Sequence, residues 1–133
     1  MERIHISAAV ILDSAKQNVF IAKRPAKKHK AGFWEFPGGG VESGETAEQA
    51  SIRELHEEVG IEVQEITSLI SLNHDYPDKS LAFDFFVVTQ FAGEPHGKEG
   101  QEAKWIALDE LEEYEFPEAN APVIKELFEW VKD

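Results

Sequence analysis

The chain has 133 residues, 42% of them apolar and including 9 Phe, 3 Trp and 2 Tyr, enough for one domain with an ordinary core and too few for two. Asp plus Glu number 26 against 13 Lys plus Arg, a formal net charge of −13, so a basic face for the DNA or RNA backbone is not expected, and an anionic substrate would need a cation. The absence of cysteine excludes disulfides, thiolate zinc sites and cysteine nucleophiles.

Neither a cleavage-site pattern at the start of the chain nor an apolar run long enough to span a bilayer is present, so a soluble, cytoplasmic protein is expected, with no membrane partner. Apolar residues alternate in Ile4, Ile6, Ala8, Val10 and Leu12. A polar stretch from Asp13 to Asn18 then leads to Val19-Phe20-Ile21-Ala22, which predicts a hairpin or two neighbouring strands. Lys23 to Gly32 is basic and irregular, and Phe33 to Phe36 runs into Pro37 and three glycines, which read as a loop. Thr46 to Gln49 fits a capping box, Ile52, Leu55 and Val59 recur at helical spacing, and Gly60 supplies a stop, which predicts a helix over Ala47 to Val59. Strands are expected at Val63 to Leu72 and Leu81 to Phe91, and a short one at Trp105-Ile106. A last helix is expected from near Pro122, burying Val123, Ile124, Leu127, Phe128 and Val131. Phe83, Phe85 and Val87 alternate with Phe86 and Val88, which suggests a sheet covered on both faces, and two helices are available to cover it.

With Ile52 as the centre of the first helix's buried stripe, a step of about 100° per residue puts Glu54, Glu57 and Glu58 together on the opposite face, beside Ala47 and Ala50. Three glutamates alone are equally a solvated helix face, since such like-charge pairs cost only about 0.2–0.5 kcal/mol each. The glycines do not complete a phosphate loop: Gly38-Gly39-Gly40 is followed by Val41-Glu42 rather than Lys-Ser/Thr, and position 43 is Ser where G-x-G-x-x-G needs glycine. The five histidines lack zinc spacing, and His56, about 40° from Ile52, reads as a packing or edge residue.

The wider spacing is more specific. Gly39, five residues, Glu45, seven residues, Arg53-Glu54-Leu55, one residue, Glu57-Glu58, one residue, Gly60-Ile61 resembles the Nudix hydrolase signature at every specified position. Composition alone gives such a match odds on the order of one in a million or less. The chain also resembles the MutT-type 8-oxo-dGTP diphosphatases of that family over nearly its whole length, in Glu35 to Gly39, in Gly93-Glu94-Pro95 with Gly97 to Gly100, and in Phe116 to Asn120. The resemblance implies a single Nudix domain over residues 1–133, an α/β fold with a mixed β-sheet sandwiched between α-helices. It implies an enzyme that hydrolyses 8-oxo-dGTP to 8-oxo-dGMP and diphosphate, cleansing the nucleotide pool and so preventing mutation, and a monomer acting on a free nucleotide. The cofactor it implies is Mg²⁺, with Mn²⁺ possible, which suits hard oxygen donors.

By position, the resemblance implies that Glu54, Glu57, Glu58 and Glu99, with the Gly38 carbonyl, hold the metal. Glu54 is the first candidate for the base and Glu99 the alternative, while Glu45 and Arg53 brace loop against helix. Nucleotide contacts are implied for Arg24, His29 and Asn120 and for Glu35, Phe36, Pro37 and Gly38, with Lys27, Lys28 and Lys30 as steering charges. Oxidation at C8 converts guanine N7 from an acceptor into an N–H donor while O6 stays an acceptor, so the one amide of Asn120 can accept from N7–H and donate to O6. Asn120 is equally placed to cap a helix beginning near Pro122, and Trp34 reads as core or pocket wall. Gly40 stands where close relatives carry a lysine, which leaves Lys23, Arg24 or Lys98 to serve in its place. The alternatives are a Nudix hydrolase for another nucleoside triphosphate or a nucleotide sugar, and a non-catalytic nucleotide-binding domain.

Overall fold

The computed structural model describes residues 4–24 and 32–132. The alternation in strand β1 (Ile4–Leu12) feeds two separate cores. Ala8, Val10 and Leu12 join Val19 and Ile21 on one face, while Ala9 and Ile11 join Phe20 on the other. Strand β2 (Asn18–Lys23) returns antiparallel with Ile11 opposite Phe20, and Asp13 closes the turn by accepting from the Gln17 and Asn18 backbone N–H groups. Strand β3 (Trp34–Glu35) pairs with the end of β2.

Gly38 to Gly40, expected in a loop, form strand β4, antiparallel to Ile6–Ala8 of β1. Glycine carries no apolar pattern, so its pairing is invisible in sequence; here its bareness is what permits the close approach. A Cβ on Gly38 would strike the Ser7 carbonyl oxygen and lie 2.5 Å from Ala8 Cα.

Helix α1 (Ala47–Val59) has the expected bounds. Thr46 Oγ1 accepts from Gln49 N–H and Gln49 Oε1 accepts from Thr46 N–H, and Gly60 ends the helix in the left-handed region at φ 75°. Strands β5 (Glu62–Tyr76) and β6 (Lys79–Ala92) exceed the expected ranges because their backbone ladder continues to Tyr76 opposite Lys79, through the polar residues Asn73, His74, Asp75, Lys79 and Ser80 that interrupt the apolar pattern. Strand β7 (Ala103–Ala107) pairs along β2; 3₁₀ turns follow at Leu108–Glu113 and Glu118–Asn120, and helix α2 (Ala121–Lys132) ends the fold.

The sheet order is β3-β2-β1-β6-β5, with β1 and β6 parallel and the other pairs antiparallel, so the α/β arrangement expected from sequence is the one formed. Leu55 and Val59 of α1 pack on the Ala9, Ile11 and Phe20 face, and Val123 and Leu127 of α2 on the opposite one. Each such side chain contributes about 1.5–3 kcal/mol relative to exposure. Among the described residues no helix is long and apolar enough to cross a membrane.

The orientation of α1 corrects the sequence reading. Ile52 is 37% exposed and is not the centre of the buried stripe; the buried residues are Ala50, Ser51, Leu55 and Val59. Stepping 100° per residue from Leu55, the buried arc passes through Ser51 and Ala47 to Ala50, and Glu58 and Glu54 fall inside it rather than opposite the core. The cause is a polar half to this interface: Ser7 Oγ lies 2.6 Å from both the Ala47 carbonyl oxygen, to which it donates, and Ser51 Oγ. His56 is exposed at the helix edge, as expected.

Candidate active site

The buried flank of α1 brings one of its carboxylates, that of Glu54, against β4. Glu54 packs on Gly39, where a Cβ would sit 2.6 Å from the carboxyl carbon and Oε1, so only glycine leaves that carboxylate its place. Arg53 organises the surroundings. Its Nε and Nη2 fork onto Glu45 at 2.7 and 3.0 Å, Nη2 donates to the Gly40 carbonyl at 3.1 Å, and Nη1 donates to Glu54 at 2.9 Å and Glu57 at 3.3 Å. The fork from Arg53, with the Glu42 backbone, pulls the Glu45 carboxyl down to about 2. Glu45 and Arg53 thus brace loop against helix.

Glu58 is in the opposite condition. Burial, then the neighbouring Glu54, Glu35 and Glu99, push its carboxyl up to about 10, and its Oε2 is buried with no hydrogen-bond partner. An orphaned carboxylate oxygen among other carboxylates is the environment a hard divalent cation relieves, and all the donors are oxygen, so these residues fit such an ion. Among the described residues no three acidic or histidine side chains already stand in a ligating cluster, since Arg53 occupies Glu54 and Glu57.

Glu99 arrives on the irregular segment between β6 and β7, which docks on the C-terminal carbonyls of α1. His96 N–H donates to Val59 and Lys98 N–H to Glu58, at 3.1 and 3.0 Å, satisfying groups the helix leaves open.

Two cavities meet here. One, of about 240 Å³, is lined by Arg24, Glu35, Phe36, Gly38 and Asn120, with Tyr76, Phe83 and Phe85 of the β5–β6 pair among its further walls. The other, of about 290 Å³, is lined by Glu58, Glu99, Glu102 and Lys23 and again by Arg24 and Glu35. Arg24 donates to Glu35 at 2.7 Å at their junction. The first offers aromatic walls and a few polar groups to a planar ring; the second offers carboxylates and two cations to a charged group carried with a metal ion.

Several expected residues stand apart. Pro37 lines neither cavity, and its carbonyl accepts from Ala9 N–H at 2.9 Å. The Glu57 side chain is 52% exposed; that of Glu54, 16% exposed, lines neither cavity but touches Glu58. His29, with Lys27, Lys28 and Lys30, lies outside the described residues. Trp34 packs against the core rather than walling either cavity, edge-on to Tyr114 and beneath Lys23 and Lys104. Asn120 does not cap α2 with its side chain; its amide nitrogen donates to the Pro117 carbonyl at 3.3 Å, and the residue borders the first cavity at 7% exposure.

The sequence gives no sign that Tyr76, Lys79, Leu81, Phe83 and Phe85 would wall the first cavity. Alternation in β6 identified two faces without saying which would look toward Asn120. Gln101, whose side chain bonds the Glu58 carbonyl and the Glu99 N–H, carried no sequence signal.

A family model described as the NUDIX domain matches residues 7–126. The chain is 42% identical over 127 residues to the 8-oxo-dGTP diphosphatase of Escherichia coli (strain K12), covering 96% of this chain and 98% of that protein. It is 33% identical over 125 residues to the CTP pyrophosphohydrolase of the same organism, covering 94% and 91%. A solved structure from a study of MutT of Aliivibrio salmonicida and Vibrio cholerae superposes with a TM-score of 0.82 at 51% identity, covering 95% of this chain and 97% of that one.

Proposed function

This chain belongs to the Nudix family, and we propose that it hydrolyses 8-oxo-dGTP to 8-oxo-dGMP and diphosphate with Mg²⁺ or Mn²⁺, removing an oxidised precursor before it is copied into DNA. The observation that carries the reading is the pair of cavities joined at Arg24 and Glu35, one bordered by the Asn120 amide and the other by Glu58 and Glu99. Similarity to the E. coli 8-oxo-dGTP diphosphatase supports the choice of substrate. The reading includes one domain over residues 1–133 and a cytoplasmic monomer.

Glu54, Glu57, Glu58 and Glu99, with the Gly38 carbonyl, are the groups that would hold the cation, which when bound offsets phosphate charge and polarises the bond to be broken. The purine enters the first cavity, where Asn120 accepts from N7–H and donates its second amide hydrogen to O6, the first being used on Pro117. Phe36 and the β6 aromatics enclose the ring. Glu54 orients a water and takes its proton, with Glu99 as the alternative base. The water oxygen attacks the β-phosphorus; the bond from that phosphorus to the α–β bridging oxygen breaks, and 8-oxo-dGMP departs. Arg53, which donates to Glu54 at 2.9 Å, keeps it aimed.

Comparing kcat/KM for 8-oxo-dGTP and dGTP with Mg²⁺ tests the reading: a strong preference for the oxidised nucleotide is expected, and equal values reject it. Glu54→Gln is expected to lower kcat at least about 100-fold, and near-normal turnover removes Glu54 as the base. Similarity to the CTP pyrophosphohydrolase favours a second reading, hydrolysis of another nucleoside triphosphate, which a higher kcat/KM for CTP would establish.

A further inference from the structure

The segment that carries Glu99 has no regular structure, yet its carboxylate must be held across a cavity from Glu58. Up to Lys98 the backbone does this work, through the bonds from His96 and Lys98 N–H to α1. Beyond Lys98, Gly100 N–H closes a turn onto the Gly97 carbonyl around Glu99, and this turn needs its own attachment. Gln101 supplies it. Its Oε1 accepts from Glu99 N–H at 2.9 Å and its Nε2 donates to the Glu58 carbonyl at 3.0 Å. One side-chain amide therefore joins the backbones of the two residues whose carboxylates face the same cavity. Among the described residues no other side chain bonds both. The turn is tight as well, since a Cβ on Gly97 would strike the Gln101 carbonyl oxygen.

We propose that Gln101 is a positioning residue, whose amide sets the placement of the Glu99 carboxylate relative to Glu58 and thereby the affinity of the site for a divalent cation. The inference rests on the reading of Glu58 and Glu99 as cation ligands. A residue that orients a ligand without touching the metal typically changes metal affinity by about 10- to 100-fold when lost. Both hydrogen-bonding roles of one amide are used, so removing it frees the Glu99 turn while leaving the backbone bonds of His96 and Lys98 in place.

The test is Mn²⁺ binding to the nucleotide-free protein, measured by electron paramagnetic resonance titration, for wild type, Gln101→Ala and the near-isosteric Gln101→Met. Gln101→Met serves if the alanine variant does not fold. The affinity is expected to fall about tenfold or more, with the Glu99 amide exchanging its hydrogen faster and the amides of β1 unchanged. In a Glu99→Gln background the same substitution is expected to change affinity less than twofold, because its effect runs through Glu99. An affinity within twofold of wild type, or an equal loss in both backgrounds, overturns the proposal. Hydrolysis is read separately: a wild-type protein that binds Mn²⁺ but leaves 8-oxo-dGTP intact defeats the functional reading while the Gln101 result stands. A wild-type protein that takes up no Mn²⁺ overturns both.

Discussion

Three adjacent glycines give three different expected outcomes when each is replaced by alanine. At Gly39 the new Cβ would lie 2.6 Å from Glu54 Cδ and Oε1, whereas ordinary contact begins at 3.4 Å, so the carboxyl group must retreat by about 0.8 Å. Glu54 is not free to swing away unaided, because Arg53 Nη1 holds it at 2.9 Å and its side chain is only 16% exposed. A displacement near 1 Å at a reacting group costs on the order of 100-fold in rate. Gly39→Ala is therefore expected to fold with little loss of stability, since the neighbour that yields is the end of a side chain, and to lose kcat by about two orders of magnitude. At Gly38 the Cβ would meet fixed backbone at Ser7 and Ala8, so Gly38→Ala is expected to break the β1–β4 pairing and lower the unfolding midpoint before any question of rate arises. Nothing lies within 4 Å of a Cβ at Gly40, and Gly40→Ala should leave both quantities within about twofold. Steady-state hydrolysis with urea unfolding of all three variants separates the cases. Gly39→Ala turning over within threefold of wild type would refute the claim that Glu54's seat on β4 matters to the chemistry.

Asn120→Ala is expected to lower kcat/KM for 8-oxo-dGTP by about 10- to 100-fold, the value of one or two hydrogen bonds, with little change for dGTP; an unchanged ratio between the two nucleotides removes Asn120 from base selection. Glu58 carries a pH dependence. Its carboxyl is raised in the fold to about 10 from an ordinary 4.5, so the stability this proton contributes is complete below pH 4.5 and is lost as pH rises toward 10. In metal-free protein, Glu58→Gln removes that loss, and its unfolding free energy relative to wild type should improve by up to about 3 kcal/mol between pH 5 and pH 7, each pH unit being worth about 1.4 kcal/mol. Parallel pH profiles for the two proteins in urea titrations with chelator would contradict the burial argument.

What the sequence disclosed and what it concealed divide by the range of the interactions involved. The limits of α1 were legible because Thr46, Gln49 and Gly60 act on backbone groups within one turn of themselves. Its rotation was not, because the decisive contact joins Ser51 to Ser7, 44 residues away, and makes a polar residue buried while Ile52 stays exposed. The strand of Gly38 to Gly40 was hidden for the same reason: its partner Ile6–Ala8 lies some 30 residues earlier, and glycine bears no pattern to announce it. Of the glutamates read from spacing and resemblance, Glu58 and Glu99 border the second cavity, whereas Phe83 and Phe85 enter the first because β6 runs parallel to β1, and Tyr76 because β5 pairs with β6 up to Lys79. Gln101 follows from neither spacing nor composition, since its partner Glu58, 43 residues away in sequence, is brought to it by the docking of an irregular segment on a helix end.

The acid surplus seen in the composition reappears inside the site, and its local balance bears on how substrate and cation enter. The second cavity sets Glu35, Glu58, Glu99 and Glu102 against Lys23 and Arg24; Arg24 is engaged by Glu35, and Lys23 stands 3.9 Å from Glu102. Arg53, beside α1, pairs with Glu42, Glu45, Glu54 and Glu57 and has no charge to spare for a phosphate. A phosphate oxygen brought to about 4 Å from one ionised carboxylate is repelled by about 4 kcal/mol at an effective dielectric constant of 20, which is the whole binding free energy of a millimolar ligand. One uncompensated contact is thus enough to cancel such affinity, and of the four carboxyl groups Glu35 and Glu102 stand beside Arg24 and Lys23 while Glu58 and Glu99 remain. Protonation of Glu58 relieves one of them without attracting the phosphate, whereas a divalent cation reverses the sign of the field there. On the proposed function, nucleotide and cation are expected to bind with positive coupling, each tightening the other by the same factor, because the acidic lining opposes the nucleotide alone.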